Sequence, residues 1–227
     1  MSLILNIDTA TESAHVSIAK DGIVVQSFQN KSQKDHASFL QAAIQQLAKD
    51  AAITLTATDA IAVTAGPGSY TGLRVGMASA KGLCYALNKP LIMLNTLEVL
   101  TVSAIRRFTD QLANGSTLLC PMIDARRMEV FTAIYDRHPA IILSPRALVL
   151  EEQSFKEQLN NKIIFFGSGS GKWHSICRNS NALFEVVSIL PEAMADLSWQ
   201  FFCRKQFADL AYSEPYYLKD FQIVIKK

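Results

Sequence analysis

The 227-residue sequence has no clustered cysteines, no large excess of charge of either sign and no long apolar run. Each absence excludes a class of protein. Cys84, Cys120, Cys177 and Cys203 lie far apart, without a C-x-x-C pair. Structural zinc needs grouped thiolates, and a disulfide framework needs a smaller, cysteine-denser chain, so buried reduced thiols are expected for most of the four. His15, His36, His138 and His174 never pair at i, i+3 or i+4, which leaves no helical metal site. The net charge of +2 lacks the basic excess of a direct nucleic-acid binder. No apolar run approaches the ~20 residues that span a bilayer. The run at residues 3–7 is stopped by Asp8, has no basic flank and is too short for a signal peptide. A cytoplasmic protein without membrane contact is the expectation.

What is present reads as a globular α/β chain: 49% hydrophobic and 19% charged residues, with strands and helices in alternation. Strands are predicted at 3–8, 14–20 and 23–29, with Asp21-Gly22 as a hairpin turn. A helix at 34–50 carries Leu40, Ala43, Ile44 and Leu47 on one face. A short strand at 61–65 runs into the Gly-rich turn from Gly66, then a helix at 71–87, a strand at 90–93 and a helix at 96–107. The pattern then restarts. A strand at 118–124 ends in Asp124 as the first ends in Asp8, and each is followed by a short polar turn and a second strand, here at 129–135. An internal duplication is the simplest explanation. It predicts two halves, 1–108 and 109–227, with a cleft between them. A strand at 163–166, a Gly/Ser loop at 167–171 and a helix at 192–205, able to pack back on the first half, complete the second. The aromatic tail at 213–218 is expected to pack on the body.

In an actin-like ATPase or sugar-kinase arrangement, Asp8 and Asp124 face each other across such a cleft. Carboxylates there suit a hydrated divalent cation and nucleotide phosphates, provided Gly-rich hairpins let phosphate approach the backbone. The turns at 9–13 and 125–128 contain no glycine, and Arg126 follows Asp124 closely. The alternative is that both aspartates cap turns. Gly66, Gly68 and Gly72 are spaced one residue too wide for the dinucleotide fingerprint. The 167–173 stretch fails as a P-loop, with Phe166 at the first glycine position and Trp173 at the metal-ligating hydroxyl. It serves as a turn or as an adenosine-contacting loop. Ser69 lacks the G-x-S-x-G elbow and a visible base. Gly72, Gly76 and Ala80 recur every fourth residue of a helix, where each glycine costs about 1 kcal/mol relative to alanine. Small residues in a row let another backbone come close. That neighbour is either an element of this chain or a second protein, for which Leu40, Ala43, Ile44 and Leu47 would complete the surface.

Together these residues carry a resemblance. Ile4-Leu5-Asn6-Ile7-Asp8-Thr9-Ala10-Thr11, the element Gly66-Pro67-Gly68-Ser69-Tyr70-Thr71-Gly72-Leu73-Arg74-Val75-Gly76, Lys81-Gly82-Leu83, Asn95-Thr96-Leu97-Glu98, Asp124-Ala125-Arg126 and Glu214-Pro215-Tyr216-Tyr217-Leu218 run in the order of the bacterial TsaB (YeaZ) family, which the chain resembles over nearly its whole length. The resemblance implies an actin-like ATPase (ASKHA) fold of two ribonuclease-H-like halves with a degenerate nucleotide site. It implies a noncatalytic scaffold or activating subunit in the transfer of a threonylcarbamoyl group to N6 of adenosine 37 in tRNAs reading ANN codons. The partners it implies are TsaD, met through the first two helices, the ATPase TsaE, a second copy when alone, and tRNA only through the complex. It implies no firmly bound cofactor, with ATP or ADP only in the complex. TsaD holds its metal through H-x-x-x-H, and the residue four after His36 is Leu40. The expected partner contacts are Leu40, Ala43, Ile44, Leu47, Gly72, Arg74, Gly76 and Ala80. The expected cleft residues are Asp8, Gly68, Ser69, Asp124 and Arg126, with no catalytic or metal residue. The rivals are a self-sufficient ATP-dependent phosphotransferase, which would need the missing phosphate hairpins, and a glycoprotease-like peptidase, which would need a nucleophile–base pair or metal motif.

Overall fold

Side chains along a strand alternate between two faces, and here each face meets its own core. The computed structural model describes residues 1–31, 36–113 and 115–219. In strand β1 (Leu3–Asp8), Leu5 and Ile7 enter one core with Ile61 and Val63, while Ile4 enters another with Ala60 and Ala62. β2 (Ala14–Lys20) and β3 (Ile23–Asn30) continue antiparallel from β1. β4 (Ala60–Gly66) and β5 (Leu91–Asn95) add in parallel on the other side, giving the order β3-β2-β1-β4-β5.

The second sheet repeats this plan. β6 (Leu118–Asp124), β7 (Glu129–Tyr135) and β8 (Ile141–Val149) are antiparallel neighbours; β9 (Ile163–Phe166) and β10 (Ala182–Glu185) are parallel additions, in the order β8-β7-β6-β9-β10. The repeated order is the duplication expected from the two Asp-ended strands.

Helices fill the layers. α1 (His36–Asp50) and α2 (Tyr70–Leu87) cover the outer face of the first sheet. The expected start of α1 at residues 34–35 lies outside the described residues. α2 starts where Ser69 Oγ accepts from Gly72 N, and it stops at Asn88, whose left-handed backbone (φ 53°) ends the helix just before Pro90. α3 (Thr96–Arg107) is capped by Asn95, whose side chain accepts from Leu97 N and Glu98 N. α3 and α5 (Pro191–Cys203) lie in the central core between the sheets, where Leu97, Leu100 and Ala104 meet Ile123, Phe166 and Met194. α5 belongs to the second half by sequence, yet it packs on β1, β2, β3 and β5. Its Trp199 lies against Gly22 of the β2–β3 turn. Among the described residues, the outer face of the second sheet carries only α4 (Ser170–Ile176) and the irregular segment after β8. No described helix is long and apolar enough to cross a membrane.

Candidate functional site: the inter-sheet cleft and the α1–α2 face

Asp8 and Asp124 end equivalent strands and do the same local work. Asp8 Oδ1 accepts from Ala10 N at 3.0 Å, and Asp124 Oδ1 accepts from Arg126 N at 2.6 Å, so each carboxylate caps its own turn. Their surroundings differ. Asp8 is fully buried and also accepts from Thr64 Oγ1 at 2.6 Å. Asp124 is half-exposed and pairs with Lys172, whose ammonium lies 2.8 Å from Oδ1 and also donates to the Glu129 carbonyl. Lys172 is the lysine of the failed P-loop pattern, and sequence reasoning gave it no role. The 125–128 turn holds Arg126 and Arg127 at positive φ (70° and 49°), a conformation that a phosphate-binding hairpin commonly gives to glycine.

The β4–α2 loop is also engaged within the chain. Ser69 N donates to the Ala10 carbonyl at 2.7 Å, and a β-carbon on Gly68 would stand 2.2 Å from that same oxygen. The cleft itself is a cavity of about 200 Å³ lined by Thr11, Glu12 and Ser13 from one half and Gly167, Ser168 and residues 186–189 from the other. Asp8, Gly68, Ser69, Asp124 and Arg126 are absent from its lining. The expectation that these five line the cleft is thereby corrected: Asp8, Asp124 and Arg126 are hydrogen-bonded at the ends of their strands, and Gly68 and Ser69 pack on Ala10 of the β1–β2 turn. The volume falls below the ~300 Å³ at which pockets for drug-sized ligands begin.

The α1–α2 face needs a second correction. Leu40, Ala43, Ile44 and Leu47 all point into the core beneath α1, with Leu5, Ile7, Val16 and Ile18. Gly72, Gly76 and Ala80 are buried as well. A β-carbon on Gly72 or Gly76 would collide with Thr9. The close neighbour that the small-residue row demands is therefore the β1–β2 turn of this chain. Of the eight expected contact residues only Arg74 is exposed, and its guanidinium lies 4.2 Å from the Tyr70 ring centre and donates to Tyr217 Oη at 3.3 Å.

What the two helices show to solvent is the complementary face. On α1 it is Ala37, Ser38, Gln41, Ala42 and Gln45; on α2 it includes Ala78, Gly82, Tyr85 and Ala86. Residues 37–46 carry no charge. Gln41 Nε2 donates to Ser79 Oγ at 3.0 Å and ties the helices together. A β-carbon on Gly82 would meet nothing within 4 Å, and Tyr85 is 84% exposed.

The tail frames this face. Ala208 N donates to the Leu91 carbonyl, Lys81 Nζ donates to the Ser213 carbonyl at 2.8 Å, and Tyr216 N donates to the Ala65 carbonyl at 2.6 Å. Lys219 then pairs with Glu129 of the second half. Burial holds the pKa of His15, behind Asp8, below its usual value, although Asp8 and Glu192 pull it back up.

A family model described as TsaD, tRNA N6-adenosine threonylcarbamoyltransferase, matches residues 22–142. The tRNA threonylcarbamoyladenosine biosynthesis protein TsaB of Escherichia coli (strain K12) is 29% identical over 96% of this chain and 94% of its own. The solved structure of YeaZ from Pseudomonas aeruginosa superposes with a TM-score of 0.75 at 27% identity, covering 96% of this chain and all of that one. An inorganic polyphosphate/ATP-glucomannokinase from Arthrobacter sp. strain KM shares the fold alone, with a TM-score of 0.50 at 11% identity over 89% of this chain and all of the kinase. The two mixed sheets are thus the duplicated, ribonuclease-H-like architecture of the actin-like ATPase fold.

Proposed function

The chain belongs to the TsaB/YeaZ family, and from that premise we propose that it is the noncatalytic subunit of the assembly that threonylcarbamoylates tRNA. Its place in tRNA threonylcarbamoyladenosine biosynthesis follows from the family. The finer reading is that it joins TsaD through the outward face of α1 and α2, and that TsaD transfers the threonylcarbamoyl group to N6 of adenosine 37 in tRNAs reading ANN codons. TsaE, tRNA and ATP or ADP meet the assembly rather than this chain alone.

One observation carries the reading. The outward face combines small side chains, an absence of charge along residues 37–46 and a projecting Tyr85. Small residues let a second helix pack close. Interface cores are depleted of charge, and tyrosine is enriched among the residues that carry binding energy. In isolation a second copy would use the same face, so homodimer and heterodimer exclude each other. The phosphotransferase reading finds no support at the end of β6, where Lys172 pairs with Asp124 and two arginines stand in the following turn.

The test uses Gly82→Trp, which adds bulk where the structure has open space. It keeps the melting temperature and loses TsaD in size-exclusion chromatography; unchanged association removes the proposed face. Modification is then assayed with TsaD, TsaE, threonylcarbamoyl-AMP and tRNA. Turnover by this chain alone contradicts the noncatalytic role.

A further inference from the structure

The outward stripe of α2 runs at four-residue spacing through Arg74, Ala78, Gly82 and Ala86, all exposed. Arg74 and Lys81 are the charged residues of this helix, and it holds no carboxylate. Lys81 is engaged by the tail, its ammonium donating to the carbonyls of Ala211 and Ser213 at 3.3 and 2.8 Å. In α1 the first carboxylate is Asp50, its last residue. The stripe therefore presents one cation, Arg74, at the end of a surface of small and neutral side chains.

Arg74 is ordered without a second protein. Its Nε donates to Tyr217 Oη at 3.3 Å, and its guanidinium carbon lies 4.2 Å from the centre of the Tyr70 ring. The two tyrosine rings stand 5.4 Å apart, so the arginine is held from α2 on one side and from the tail on the other. Tyr217 is fixed in turn by its neighbours. Tyr216 N donates to the Ala65 carbonyl at 2.6 Å, and Lys219 pairs with Glu129. The terminal Nη groups of Arg74 make no hydrogen bond or ion pair among the described residues. A long cationic side chain ordinarily loses rotamer freedom when it docks, and here that ordering precedes docking. A guanidinium fork matches a carboxylate through two parallel N–H···O bonds.

On the reading that this face joins TsaD, we propose that Arg74, preset by Tyr217, is the charged anchor of the face and takes a carboxylate from a helix of the partner. The anchor also selects. A second copy that meets the face through its own α1 and α2 brings another Arg74 and no carboxylate before Asp50. A partner with an acidic residue at this place supplies the missing charge, and like charges brought together oppose the wrong pairing. The tail, which belongs to the second half, thereby sets how a surface of the first half is presented.

Binding of TsaD is measured by isothermal titration calorimetry with the wild type, Arg74→Gln, Tyr217→Phe and the double variant. Both side chains are exposed, so melting temperatures stay at the wild-type value. Arg74→Gln weakens binding at least about tenfold and flattens its salt dependence between about 50 and 500 mM NaCl. Tyr217→Phe keeps the ring and removes the acceptor of Arg74 Nε. It weakens binding about threefold or more in the wild-type background and has no effect once residue 74 is glutamine. Self-association of Arg74→Gln, read by sedimentation equilibrium, is no weaker than that of the wild type. A wild-type Kd in Arg74→Gln overturns the anchor. Equal losses from Tyr217→Phe in both backgrounds overturn its positioning role, and a parallel loss of self-association overturns the selectivity. Gly82→Trp separates the anchor from the face. If that variant loses TsaD while Arg74→Gln keeps it, the face stands and the anchor falls; if Gly82→Trp binds normally, both fall.

Discussion

A β-carbon on Gly72 would stand 2.0 Å from the carbonyl oxygen of Thr9, closer than any real side chain approaches. Thr9 Oγ1 also donates to the Gly72 carbonyl at 2.7 Å and would lie 2.3 Å from a β-carbon on Gly76. One threonine therefore sits between two helical glycines and locks α2 to the β1–β2 turn.

Gly72→Ala should destabilise the fold by about 1–3 kcal/mol, because the obstructing atom is backbone and overpacking exceeds the helix-propensity gain. Gly82→Ala should act in the opposite sense and gain up to about 1 kcal/mol, since its β-carbon meets open space. Urea unfolding of the two variants measures both. Equal signs would remove the packing argument.

His15 is 5% exposed, and burial lowers its pKa. As pH falls, the unfolded chain takes up this proton first, so stability is full above the ordinary histidine value near 6.5 and declines below it. Urea midpoints between about pH 7 and pH 5 should fall less steeply in His15→Gln than in the wild type. Parallel slopes would assign the acid sensitivity to other groups.

Glu98 runs the other way. Burial raises its pKa, with Arg204 opposing, so its contribution is favourable at low pH and is lost as pH rises through the folded-state value. Glu98→Gln should therefore raise the urea midpoint at neutral pH and change it least in acid. A lower midpoint at both would show that the carboxylate is needed as an acceptor.

Burial pushes the Cys84 and Cys120 thiols up to about 12, whereas Cys203 is exposed and Cys177 is half-buried. Iodoacetamide at about pH 8 should label Cys203 first and Cys177 more slowly, and reach the other two only after unfolding. Peptide mass spectrometry reads the order. The expectation of buried thiols thus holds for two of the four.

The elements that were legible in the sequence are those whose period matches one buried face. Strands β1, β2, β6, β7 and β9, and helix α3, fall at the expected residues. β8 and β10, which the sequence reading did not place, are edge strands. β8 contains Pro145 and leaves one side to solvent, and β10 has four residues, so neither shows a sustained apolar signal. The short α4 begins inside a glycine-rich loop that reads as a turn. The Gly72-Gly76-Ala80 row announced a close neighbour correctly. Its identity, Thr9 on a distant turn, is a tertiary fact that no local pattern encodes. The same holds for Lys172 against Asp124, which joins a helix to a turn across 48 residues of chain.

α5, the last helix among the described residues, covers the first sheet. During synthesis, residues 1–108 leave the ribosome with Ile4, Ala60, Ala62, Ile92 and Leu94 facing a layer whose second helix has not yet been made. Domains commonly fold in the order they emerge, but this chain delays closure of its N-terminal half until its last fifth is translated. A product truncated before α5 is left with an open apolar face, the surface on which incomplete chains associate with one another.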